Sequence, residues 1–218
     1  MQNIYLDIET IPSQEPWVKE YISENVSHPG TIKKEDSIKK WYEEKYHDAV
    51  EKAMEKTTFD GAMNHVICIG FAFDDEEPKT LTAKNVNEEA KILKAFHEII
   101  KDRVLWGDTF IGHNVAQFDL RVIRQRSIVL GVPLNREIPY NAKPWESNPF
   151  DTMAQWDFKN NTKLDVLARA FGVGGKGDVD GSMVYPMWKK GQFKEIAEYC
   201  KDDVRLVRDV AKKMRGEL

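Results

Sequence analysis

The sequence predicts a mixed α/β fold, a central sheet with helices on both faces and a helical insertion after the first strand. Three observations carry this. Ile4 to Ile8 alternates apolar and polar residues, as a half-buried strand does. HVICIGFAF, His65 to Phe73, is a nearly unbroken apolar run, as expected of a strand covered on both sides. Downstream the apolar period lengthens to that of helices, strongest in the final segment from about Phe193 to Met214.

Taken in order, Ile4 to Ile8 is the first strand. Pro12, Pro16 and Pro29 then point to an irregular stretch. Lys34 to Lys56 carries Ile38, Trp41, Tyr42, Tyr46, Val50 and Met54 at helical spacing, which predicts one amphipathic helix. That helix holds no candidate ligand and is expected to be peripheral to the chemistry. His65 to Phe73 is a strand, with Lys79 to Ala83 as its partner across an acidic turn. Glu88 to Ile100 is a helix with Ile92, Leu93, Phe96 and Ile99 inward. Thr109 to His113 is a short strand, and Leu120 to Leu130 is a helix. A proline-rich loop runs to Phe150, and Leu164 to Phe171 is a further helix. GVGGKGDVDG lacks the GxGxxG spacing and the preceding strand of a dinucleotide site, so it reads as a mobile loop.

At 218 residues and 41% hydrophobic, the chain suits one α/β domain over residues 1–218, with residues 13–60 as its insertion. No apolar run is long enough to span a membrane, and the N-terminus has no signal-peptide pattern. Cys68 and Cys200 both lie in apolar periodic segments, so reduced core thiols and a cytoplasmic location are expected. A formal net charge of −4 gives no general nucleic-acid coat. Bound divalent cations would offset it, so a nucleic-acid enzyme is not excluded.

Chemistry enters through carboxylates on apolar faces. Asp7 and Glu9 point to one side of the first strand, while Ile4, Leu6 and Ile8 point to the other. Asp119 stands at a helix start, where an N-cap and a metal-facing role are both open. Asp203 shares an apolar helical stripe with Ile196, Tyr199, Leu206 and Val210, and no cation lies three or four residues away. Its neighbour Asp202 differs, with Arg205 three residues on. Burying unpaired carboxylates costs several kcal/mol, and a divalent cation offsets that cost. Oxygen-only donors suit Mg²⁺ or Mn²⁺ rather than zinc, and the five histidines show no metal-ligand spacing. Two such ions are the usual device for in-line attack on a phosphodiester. No Walker loop is present, and no Ser or Cys nucleophile with a paired base stands out.

With these residues in place the sequence resembles the DEDD 3′–5′ exonucleases of the ribonuclease H-like fold, in the tyrosine-bearing branch. DIET is similar to the first motif, Asn114-x-x-x-Phe118-Asp119 to the second and Tyr199-x-x-x-Asp203 to the third. DIETIP, the arginine-bearing helix after NxxxFD, KLDVLARAFGV and YCxxD resemble the proofreading domain of family B DNA polymerases. No polymerase domain accompanies them here, so the resemblance is to a stand-alone exonuclease. It implies a ribonuclease H-like mixed sheet and hydrolysis of single-stranded DNA from its 3′ end, releasing nucleoside monophosphates. Two Mg²⁺ or Mn²⁺ ions would be held by Asp7, Glu9, Asp119 and Asp203, with Tyr199 orienting the attacking water. Thr10, Asn114, Phe118, Arg121, Arg124 and Arg126 would meet the strand. The partner is then a single-stranded 3′ end, DNA favoured over RNA, with no membrane and with room for a polymerase or repair partner. The alternatives are an exoribonuclease on the same site, and a nucleic-acid-binding module without catalysis.

Overall fold

The structure, a computed structural model, describes residues 1–218 except Lys176, Asp178 and Val179. The reading of residues 172–181 as a mobile loop turns on those three and lies outside the described residues.

The sheet has five strands: β1 (Asn3–Ile11), β2 (His65–Phe73), β3 (Lys79–Thr82), β4 (Thr109–Gly112) and β5 (Phe150–Asp151). Their order is β3-β2-β1-β4-β5, so β1 is central. It pairs antiparallel with β2 and parallel with β4, and β4 continues parallel to β5. All of β2 is buried, as its apolar run predicts. The helices are α1 (Pro16–Asn25), α2 (Glu35–Glu44), α3 (Tyr46–Lys56), α4 (Glu89–Arg103), α5 (Asp119–Val129), α6 (Thr152–Asp157), α7 (Leu164–Phe171), α8 (Val184–Lys189) and α9 (Phe193–Arg215). None is long and apolar enough to cross a membrane.

Strand alternation divides the core in two. Ile4, Leu6 and Ile8 join Ile69, Phe71 and Phe73 under α4 and α5, through Leu93, Phe96, Leu120 and Ile123. Tyr5 and Ile111 face the other way, against Leu164 and Leu167 of α7 and Val204 and Val207 of α9. Asp7 and Glu9 share the α9 face. Gly70, opposite Asp7 on β2, lets α9 approach closely: a Cβ there would lie 2.6 Å from Cys200 Sγ. The register slips between Glu9 and Thr10, a bulge just past the acids.

Between β1 and β2 the chain departs from the sequence reading. The stretch expected to be irregular contains α1, because Pro16 sits at the first turn, where a missing N–H leaves no bond unmade. The single helix expected over 34–56 bends at Lys45 into α2 and α3. The bend gathers aromatic rings: Trp41 lies 5.1 Å from Tyr42 and 6.3 Å from Tyr46, between ring centroids. Trp41 is buried there, and Tyr46 donates to Ser23 O at 2.6 Å, tying α3 to α1. The proline-rich loop ends in the two-residue β5, followed by α6, and α8 also falls where no element was expected.

A buried histidine lies off the α9 face. His97 of α4 lies 2.9 Å from Ser127 Oγ and 3.3 Å from Tyr140 Oη. Burial pushes its pKa down to about 4, from 6.5. A depressed histidine adds stability in full above the unfolded value and loses it as pH falls toward the folded one. At the ordinary scale this amounts to about 3 kcal/mol. We expect unfolding free energy to drop between pH 6.5 and 4 and the drop to flatten in His97→Gln, read by urea titration at each pH.

Candidate active site

β1, α5 and α9 build the site. Asp7 and Glu9 come from the middle of β1, and Tyr199, Cys200 and Asp203 from the turns of α9 that cross it. Asp119 is the first residue of α5 and is not its cap; Phe118 occupies the cap position. The Asp119 carboxylate instead accepts the Ile8 amide at 2.9 Å, beyond Tyr5, where pairing of β1 with β4 ends. The N-cap alternative therefore falls, because that oxygen is spent across the sheet on β1.

Glu9, Asp119 and Asp203 are only 7%, 3% and 4% exposed. Burial, then the charge of Asp7, pushes the Asp119 pKa well up, against the pull of the Ile8 amide. Tyr199 is also pushed far up by burial, by the charges of Glu9, Asp203 and Asp7, and by its hydrogen bond with Asp203. The phenol thus keeps its proton and serves as a neutral hydroxyl. These couplings bring all five predicted catalytic residues into one electrostatic neighbourhood. Asp202 turns outward to Arg205 at 2.6 Å, as its spacing predicts.

One member was not foreseen. Cys200 Sγ lies 3.6 Å from both the carbonyl oxygen and Oδ2 of Asp7. Burial, Cys68, Asp7 and Glu9 together raise its pKa, so it is a thiol donating to Asp7 rather than a thiolate. The sequence placed it correctly in an apolar stripe but could not show that the stripe crosses β1 at Asp7. Asp151 was also missed. Its carboxylate accepts from Asn114 N and Ala116 N at 2.9 and 3.1 Å, fixing the loop before α5, and it caps α6. An Asp opening a short helix was the available signal.

Donor chemistry fits a divalent cation. Ligand atoms of Asp7, Glu9 and Cys200 all lie within 4.8 Å of one another, and the carboxylates around them supply hard oxygen donors. Gathered like charges repel, and a bound cation relieves the repulsion. We expect Mn²⁺ to raise the melting temperature of the wild type and to raise it much less in Asp203→Asn. Equal shifts would place the ion elsewhere.

The predicted strand-binding residues separate. Thr10 and Phe118 line a cleft of about 660 Å³ that opens beside Glu9. The Thr10 hydroxyl is engaged with Thr58 O and Oγ1, both at 3.0 Å. Arg121 is exposed and reaches toward Phe59 O, at 3.5 Å. Asn114 sits in the loop before α5 with φ +62°, its amide held by Asp151. Arg124 lies instead beside Tyr140, on a different surface from the cleft. Arg126 is a correction: it is 4% exposed and grips Glu89 with two 2.8 Å bonds. Its guanidinium is spent on a buried ion pair, so it does not meet phosphate. Residues 34–56, expected to be peripheral to the chemistry, contribute Lys52 and Lys56 of α3 to the lining of this cleft.

No curated protein matches the chain. Among solved structures, the family B DNA polymerase from the hyperthermophilic archaeon Pyrobaculum calidifontis is similar over 99% of the chain, with a TM-score of 0.61 and 19% identity. The chain spans 24% of that polymerase's length, so the likeness is one of fold, a ribonuclease H-like mixed sheet with helices. Exonuclease domains of this type use divalent metals, consistent with the acidic cluster. Residues 57–206 match the family described as a predicted 3′–5′ exonuclease related to the exonuclease domain of PolB, and the chain belongs to that family.

Proposed function

We propose that this chain, as a single domain with an insertion at residues 13–60, removes nucleotides from the 3′ end of single-stranded DNA. Nucleoside monophosphates are the products, and Mg²⁺ or Mn²⁺ is required. The observation that carries the reading is the convergence of Asp7 and Glu9, Asp119, and Tyr199 with Asp203 from three separate elements, in a chain of this exonuclease family. Asp7, Glu9 and Asp203 would hold one ion, and Asp7 with Asp119 the second. When bound, the ions lower the pKa of water and offset charge developing on the attacking and leaving oxygens.

The chain's own groups do the rest. Tyr199 keeps its proton, donates it to Asp203, and would orient the attacking water by accepting a hydrogen bond on its phenol oxygen. Cys200 donates to Asp7 and fixes the rotamer of a carboxylate both ions would share. Asp119, anchored on the Ile8 amide by one oxygen, keeps the other for its ligand role. Tyr199→Phe preserves the ring and removes only the hydroxyl. We expect turnover to fall about 10- to 100-fold while the Mn²⁺ melting shift survives; unchanged turnover would reduce Tyr199 to a packing aromatic. The proposal as a whole is tested on 5′-labelled single strands of matched DNA and RNA. A descending ladder on DNA that vanishes with chelator supports it. Preferential digestion of RNA would make the enzyme an exoribonuclease.

A further inference from the structure

An open aromatic pair stands at the β5 edge of the sheet, and the catalytic account makes no use of it. Trp145 and Phe158 are 61% and 65% exposed, with ring centroids 6.4 Å apart. Contiguous apolar surface left this open marks an interaction site. A lysine borders each ring: Lys143 Nζ lies 6.0 Å from the Trp145 centroid and Lys159 Nζ 5.6 Å from that of Phe158. These distances are at the outer limit of cation–π contact, about 6 Å, so the ammonium groups flank the rings and leave ring faces open. The acids nearest in sequence are turned elsewhere. Asp157 accepts Lys159 N and Asn160 Nδ2 at 2.9 and 2.7 Å, and Glu146 lines the separate hollow beside Tyr140. Lysines bordering open aromatic faces suit a single nucleic-acid strand, whose phosphates meet charge and whose bases meet rings.

The pair is built onto the frame that carries the acids. Tyr5 of β1 is level with Ile111 of β4, and Ile111 with Phe150 of β5. Two residues on from each come Asp7, His113 and Thr152, so α6 starts about two strand spacings, roughly 10 Å, from the β1 acids. Thr152 Oγ1 lies 2.9 Å from His113 Nδ1 and donates to Gly112 O at 3.1 Å, fixing that start to the end of β4. The six residues of α6 span about 9 Å before Phe158. Trp156 braces the helix against α7, 5.4 Å from the Phe171 ring. The loop that carries Trp145 is held as well. Gln155 Nε2 donates to Glu146 O at 3.1 Å, and Asn148 accepts from Phe110 N and donates to Asp108 O at 3.0 and 2.9 Å. Both rings are therefore placed before any strand arrives, which lowers the ordering cost of binding.

We propose that Trp145 and Phe158, bordered by Lys143 and Lys159, form a remote platform that holds the single strand several nucleotides upstream of the end being hydrolysed. Bases stack on the two rings and backbone phosphates meet the two lysines. A strand long enough to reach the platform stays attached after each terminal nucleotide leaves, and a short one does not. This inference rests on the exonuclease reading, and the experiment separates the two.

Binding of 5′-fluorescein oligothymidylates of about 4 and about 20 nucleotides is followed by anisotropy across a salt series, in an Asp7→Ala background that leaves the strand intact. Cleavage is measured in parallel without the Asp7 change. Trp145→Ala/Phe158→Ala should weaken binding of the long strand about 10- to 100-fold and remove its advantage over the short one. Trp145→Phe, which keeps a ring, should recover most of the loss seen in Trp145→Ala. Lys143→Ala/Lys159→Ala should flatten the log K against log salt slope for the long strand by about 1, at roughly 0.7 per lost phosphate contact. In active protein the ring variant should release partly shortened long strands earlier, seen as a broader ladder when unlabelled competitor is added. Trp106→Ala, an exposed tryptophan before β4, is the control for loss of a surface ring alone. Equal losses on short and long strands, or a ring variant that matches the control, overturn the platform even if the wild type digests DNA. A length-dependent loss in a protein that cleaves no strand keeps the platform and overturns the exonuclease reading.

Discussion

Asp7→Ala should reduce strand cleavage by about 10³-fold or more while leaving the fold intact. Asp7 is the acid on which the site converges. It lies beside Glu9 and Cys200 on the α9 face, and its charge raises the pKa of Asp119, Tyr199 and Cys200. Removing it takes a carboxylate from both proposed ions, and charge stabilisation of that kind is worth several kcal/mol in the transition state. Asp7 is half-buried and its neighbours lose a repelling charge, so the metal-free variant should melt no lower than the wild type. Purified Asp7→Ala with wild-type turnover would remove the site from this face of the sheet.

The second large effect is on stability, away from the chemistry. Glu89 of α4 is fully buried. It accepts two bonds from Arg126 and one from Val66 N, all at 2.8 to 2.9 Å, and lies 3.0 Å from His65 Nδ1. Burial pushes its pKa up, but His65, Arg126 and the Val66 amide outweigh that, and the net shift is downward from 4.5. Arg126→Ala leaves the carboxylate buried without its main partner and should cost about 3–5 kcal/mol. Glu89→Met/Arg126→Met should cost less than the sum of the single changes, because neither charge is then stranded. Because the folded pKa is depressed, the carboxylate's contribution is complete above about pH 4.5 and is lost as pH falls through the folded value. Urea unfolding of the two singles and the double checks this; additive losses would mean the pair is not coupled.

The sequence was most legible where one period ran long. β2, α7 and α9 fall within a residue or two of their expected bounds, because buried runs and apolar stripes leave little freedom. The elements missed are short or disguised. β5 has two residues, α6 and α8 six each, too few to show a period. α1 was hidden by Pro16, read as a breaker though it sits where proline starts a helix. The bend at Lys45 has no glycine or proline to announce it and follows from tertiary ring packing. At the site, strand alternation placed Asp7 and Glu9 on one face, and helical spacing placed Tyr199 and Asp203 on one stripe. What spacing could not give was pairing between distant residues. Arg126 looked like its neighbours Arg121 and Arg124 until Glu89, 37 residues away, claimed it. Cys200 looked like a core thiol until Gly70 let α9 down onto Asp7, and Lys52 and Lys56 looked like a solvated face until Thr58 tied their wall to β1.

The claim that Asp7, Glu9, Asp119 and Asp203 form one divalent-cation centre is tested most directly by anomalous diffraction from crystals grown with Mn²⁺. Two manganese peaks are expected between β1 and α9, touching those four carboxylates and no other side-chain oxygens. Peaks confined to other carboxylates, or none at this face at saturating Mn²⁺, would contradict it.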